Sequence, residues 1–151
     1  MLKMAHFLEK CHNAIKTRHL WRYWPKRNSC FQIRDKKGVS IITKLRVNFS
    51  DLWDHRFRHN FNCISADCPC GSDTESTTQF LLYCNRYHHQ RSVLFQKLKG
   101  IIPDYDKFSE NDLLNVLLYG YPHKHIDSAV IITNTIYFIN STKRFAKLEA
   151  F

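Results

Sequence analysis

The stretch NCISADCPCGSDTESTTQFLLYC, Asn62 to Cys84, holds four of the chain's six cysteines and organises the reading of everything around it. Its polar, turn-rich heart, ADCPCGSD, is a poor setting for thiols used only as small buried hydrophobes, the usual role of a free cysteine. A structural zinc site needs four ligands, commonly thiolates and imidazoles in a tetrahedron. Cys68 and Cys70 form one side of such a site, with Gly71 permitting the tight turn. Cys84 and His88, four residues apart, share a helical face and complete it. Cys63, His59 and His89 compete for the fourth place. The C-x-C spacing is less diagnostic than C-x-x-C, so the sequence implies zinc as cofactor without closing the ligand set.

Working outward, apolar positions recur with helical spacing on both sides of this centre. Met4, Phe7, Leu8, Cys11, Ala14 and Ile15 form one amphipathic segment, with a stop at Pro25. FQIRDKKGVSIITKLR reads as a short extended piece, a turn at Lys37-Gly38, and a helix on which Ile42, Leu45 and Phe49 share a face. Ser50 is the expected cap of the next short helix, whose positive end suits Asp51 and Asp54. Ser72-Asp73-Thr74-Glu75 fits a capping box ahead of a helix carrying Phe80, Leu81 and Cys84. A further helix spans about His89 to Leu98 and closes at Gly100. Ser109 with Asp112 caps the next, which ends at Gly120 and Pro122. The last covers about Ile126 to Lys147, and its β-branched residues require burial to stabilise it. The expected fold is mostly α: a small helical domain, 1–151, around a central zinc-knuckle-like loop. A subdivision into 1–100 and a C-terminal helical hairpin, 108–151, is the alternative.

At 151 residues, with 44% hydrophobic residues including 11 Phe, 7 Tyr and 3 Trp, the chain has material for one core. Its formal net charge of +10, from 23 Lys and Arg against 13 Asp and Glu, favours polyanionic partners. Lys16, Arg18, Arg22, Lys26 and Arg27, interleaved with Trp21, Tyr23 and Trp24, suit a nucleic-acid surface with cations on phosphates and rings on bases. Arg56 and Arg58 extend the candidate set. The plainer alternative is a solvated basic face with aromatic anchors. No secretory leader is expected, and Ala129 to Ile139 is too short to cross a bilayer. The expectation is therefore an intracellular, reducing location, nuclear or cytoplasmic, with RNA or DNA as partner and neither membrane nor small-molecule substrate.

KLRVNFSDLWDHRFRHNFNC followed by CPCGSDTESTTQFLLYCNRY resembles the C-terminal tail of reverse transcriptases from jockey-like non-LTR retrotransposons. The likeness runs from about Phe31 to Arg91, and LLNVLLYG and FINSTKRF resemble the end of the same tail. The resemblance implies a reverse-transcriptase zinc-binding region, with a polymerase domain upstream in the family and Cys68, Cys70 and Cys84 at its cysteine ligand positions. Gln79 stands where the family pattern has histidine, a gap that His88 or Cys63 would fill. Asn85 replaces a proline. The paired aspartates of a polymerase turn, serine-hydrolase motifs and phosphate loops are absent, so no enzyme is expected. The function expected is a non-catalytic nucleic-acid-binding accessory module. A structural or protein-interaction module, docking on a polymerase domain or another protein, is the alternative, as is a translated remnant without selected function.

Overall fold

The computed structural model describes residues 32–121 and 125–146. The N-terminal amphipathic segment and the candidates Lys16, Arg18, Arg22, Trp24, Lys26 and Arg27 lie outside the described residues, as does Pro122. Among the described residues five α-helices follow one another: α1 Lys36–Arg46, α2 Trp53–Arg58, α3 His88–Ile101, α4 Glu110–Tyr119 and α5 Ser128–Thr142. Among the described residues there is no strand; Asp67 and Thr74 form an isolated antiparallel bridge. The mostly helical expectation therefore holds, with the three cysteines gathered at the centre.

Helix α5 is the hub, packing against α1, α3 and α4. Ile131, Ile132, Thr135, Ile136, Phe138 and Ile139 are all buried along it. Burial of this kind offsets the weak intrinsic propensity of β-branched residues. The buried Thr135 hydroxyl is satisfied within the helix by donating to the Ile131 carbonyl at 3.2 Å. The helix is shorter than expected: Asp127 caps its start, accepting from the Ala129 amide, and Lys143 ends it in the left-handed conformation. One buried cluster runs from Ile33 to Phe145, with residues from both sides of the Pro103–Phe108 connection.

Several local expectations are corrected. Lys37 and Gly38 are helical, because Asp35 caps α1 by accepting from the Gly38 amide at 2.8 Å. The glycine serves packing instead of a turn: a Cβ there would lie 2.3 Å from Ile136 Cγ2 on α5. Phe49 lies beyond α1 and is half-exposed. Leu52, not Ser50, is the N-cap of α2. Ser50 Oγ instead accepts from the Leu52 amide. Gly100 lies within α3, which continues to Ile101. The Ser109–Asp112 capping box is present, with both reciprocal bonds formed.

The Ser72–Glu75 box is not formed. Ser76 takes the capping role, its hydroxyl accepting from the Gln79 amide at 3.1 Å. Glu75 is buried and accepts two bonds from Arg144, Nε to Oε1 at 2.7 Å and Nη2 to Oε2 at 2.6 Å. The Trp53 amide at the start of α2 donates to the same carboxylate at 2.8 Å. One charge thus ties the central loop, α2 and the turn that follows α5 together.

Candidate metal centre

The cysteine-bearing loop is closed by its backbone. The Cys68 amide donates to the Asp73 carbonyl at 2.8 Å and the Glu75 amide to the Ala66 carbonyl at 2.8 Å, forming a narrow knuckle. At its tip the Gly71 amide donates to the Cys68 carbonyl at 2.9 Å, and Gly71 has φ of 80°. A side chain is disfavoured in that region, which explains glycine after the second cysteine. Opposite stands Cys84, at the end of a π-helical turn, Gln79–Tyr83, closed by the Cys84 amide donating to the Gln79 carbonyl at 2.7 Å. Single π turns widen a helix locally and often mark functional positions.

Three sulfurs converge. The metal-ligating atoms of Cys68, Cys70 and Cys84 all lie within 4.8 Å of one another, and the Cys68 and Cys84 sulfurs are 3.6 Å apart. Two zinc–sulfur bonds of about 2.3 Å at a tetrahedral angle separate their sulfurs by roughly 3.8 Å, so this donor set fits a zinc-sized ion. His88 is exposed in the first turn of α3 and is not among the converging groups. Neither is Cys63, whose thiol donates to the Ser65 carbonyl at 2.8 Å. The four described cysteines are all free thiols.

The surroundings prepare the sulfurs unequally. Ser72 Oγ is 3.0 Å from Cys70 Sγ, and the buried Gln79 amide donates both to that sulfur at 3.5 Å and to Ser72 Oγ at 2.8 Å. Hydrogen bonding from Ser72 above all lowers the Cys70 pKa to about 6, whereas burial raises that of Cys68 to about 12. Gln79 thereby serves as a donor beside the cluster. Cys70 is thus a readier thiolate than Cys68, and binding a cation would displace the proton held by Cys68.

Arg91 fixes the other side. Its buried guanidinium donates to the carbonyls of Leu81 at 2.8 Å, Cys84 at 2.9 Å and Phe80 at 3.0 Å. The carbonyls of Phe80 and Leu81 lie in the π turn, whereas that of Cys84 follows it and also accepts from the Tyr87 amide at 3.2 Å; capturing all three holds Cys84 in place. Sequence reasoning missed Arg91, although its position three before Leu94 and seven before Leu98 puts a cation on the buried stripe of α3. It also missed Glu75 as an ionic anchor.

Of the candidate cations, Arg58 is largely exposed and pairs with Asp54 at 3.0 Å. Arg56 lies with its guanidinium carbon 5.5 Å from the Trp53 ring centroid. His55 serves packing, whereas His59 is exposed. The His55 ring is buried, with Nδ1 accepting from the Ser50 amide at 3.1 Å and Nε2 3.3 Å from Thr77 Oγ1. Burial lowers its pKa below the usual histidine value, partly opposed by the charge of Asp54.

No protein-family model, curated protein or solved structure matches the chain. Among the described residues no helix is long and apolar enough to cross a membrane.

Proposed function

We propose that this chain is a non-catalytic nucleic-acid-binding module, ordered at its centre by zinc and derived from a non-LTR retrotransposon reverse-transcriptase tail. The observation that carries the reading is the convergence of Cys68, Cys70 and Cys84, drawn from a loop and a π turn sixteen residues apart and spaced as zinc requires. Zinc would lock the knuckle to the π turn and contribute directly to folding. His88, four residues beyond Cys84 but exposed and outside the converging groups, would have to turn inward to serve as the fourth ligand, with Gln79 kept to hydrogen bonding. The charge of +10 supports a polyanionic partner.

The test has two arms. Elemental analysis of the purified protein should give one zinc per chain, and Cys70→Ser should lose it. Titration with labelled single-stranded RNA should show binding that weakens steeply with salt, as condensed counterions are released. Zinc-free folded protein sinks the metal reading, and no association at low salt sinks the nucleic-acid reading. The half-exposed rings of Phe49, Phe57 and Phe61 and the fully exposed Ile64 favour a protein-interaction module as second reading. A concentration-dependent dimer in size measurements would support that instead.

A further inference from the structure

The tetrapeptide pattern Arg-x-Asn-Phe occurs twice, at Arg46–Phe49 and Arg58–Phe61, each time at the exit of a helix. The two exits have the same construction. Asn48 and Asn60 are left-handed, with φ of 54° and 56°. The Asn48 amide donates to Leu45 at 3.3 Å and the Phe49 amide to Lys44 at 2.9 Å; likewise Asn60 donates to Phe57 at 3.3 Å and Phe61 to Arg56 at 3.0 Å. This is the Schellman pattern of helix termination, with asparagine in the place usually given to glycine. The phenylalanine after each asparagine is thereby set at a defined angle to its helix.

The twin exits meet. Phe49 and Phe61 lie edge to face with centroids 5.6 Å apart, and the His59 ring sits 4.8 Å from Phe49 and 6.3 Å from Phe61. His59 Nε2 is 3.3 Å from the Asn48 carbonyl, joining one exit to the other. The rings pack on one another yet stay about half uncovered, Phe49 at 46% and Phe61 at 47% exposure. Around them the segment 44–63 carries Lys44, Arg46, Arg56 and Arg58 against Asp51 and Asp54, and Asp54 is buried. A second copy of this surface would set like charges against each other, whereas a polyanion with exposed bases matches both its charge and its rings.

We propose that Phe49, His59 and Phe61 form a stacking platform for the bases of a single-stranded nucleic acid, with Lys44, Arg56 and Arg58 holding its phosphates. This rests on the nucleic-acid-binding reading and narrows it: stacking needs unpaired bases, which a duplex keeps within its helix. The platform lies outside the cysteine cluster and uses none of its ligands.

The test is fluorescence anisotropy on the full chain with a labelled single-stranded oligonucleotide and with the duplex of the same sequence. Phe61→Ala and Phe49→Ala should each weaken single-strand binding by about five- to a hundredfold and leave the weaker duplex binding unchanged. Phe61→Leu separates the ring from its bulk: it should bind as poorly as the alanine variant while melting close to the parent, and Phe61→Trp should bind at least as well as the parent. A leucine variant that binds like the parent overturns the platform, as does equal parental affinity for single strand and duplex. A parent that dimerises through this surface, with Phe61→Ala monomeric and unaltered in binding, overturns it in favour of self-association. Absence of all nucleic-acid binding by the parent overturns the underlying reading as well.

Discussion

Helix α5 and the segment from Ala66 to Arg91 both lie at the heart of the molecule, and different physics holds each. Helix α5 is kept by aliphatic and aromatic burial, with Ile131, Ile132, Phe138 and Ile139 almost fully enclosed. Such burial is non-directional and scales with area, so the helix tolerates exchange among residues of similar volume. The central segment depends on directed polar contacts: Glu75 to Arg144, Arg91 to three carbonyls, and a donor-rich setting for Cys70. There a single misplaced atom matters more than lost area. Cysteines alone do not make a metal centre; the polar frame around them sets where their sulfurs stand.

Truncation and rescue should break this comparison most sharply. Phe138→Ala should cost about 3–5 kcal/mol by opening a cavity, and Glu75→Ala a comparable or somewhat smaller amount by stranding the partly buried Arg144 charge. Their rescues should differ. Adding Arg144→Met to Glu75→Gln removes the charge pair together and should restore most of the loss in urea denaturation, because a buried pair contributes little net stability over an apolar replacement. Equal loss in the double and single variants would show that the carboxylate's bond from the Trp53 amide, not its ion pair, is what the fold needs.

Acidification should sharpen the contrast by a smaller amount. The His55 pKa is lowered by burial, so the unfolded chain takes up the proton first as pH falls below about 6.5. More protons on the unfolded state means that stability is fully present above that value and falls progressively below it. Urea midpoints at pH 7 and pH 5.5 should therefore diverge in the parent and converge in His55→Gln. An unchanged slope in the variant would assign the effect to other groups, the Cys70 thiol foremost.

Two glycines in helices give effects of opposite sign. Gly38→Ala should cost about 1–3 kcal/mol, since its Cβ collides with Ile136 of α5. Gly100→Ala meets nothing within 4 Å in α3 and should stabilise by about 0.5–1 kcal/mol. Opposite signs for one substitution in two helices, read as melting temperatures, would isolate the close crossing of α1 and α5.

What the sequence by itself determined lies within a few residues along the chain. The apolar spacing of α5, the Ser109–Asp112 box and the loop held at Gly71 are local, because helical periodicity, capping and turn conformation involve neighbours. Cysteine spacing likewise marked Cys68, Cys70 and Cys84, whose sulfurs the fold brings together. Tertiary structure decided the rest. Ser72–Glu75 has the pattern of a capping box, yet Glu75 serves Arg144, 69 residues away, because packing α5 beside the centre offers a partly buried guanidinium that a local amide cannot match. Phe49 has the spacing of a core residue on α1, yet Asn48 ends that helix first and turns the ring outward to meet Phe61. Arg91 reads as one more surface cation until the π turn's carbonyls are seen around it. Periodicity records which face a residue occupies; which partner waits there is set only when helices distant in sequence pack together.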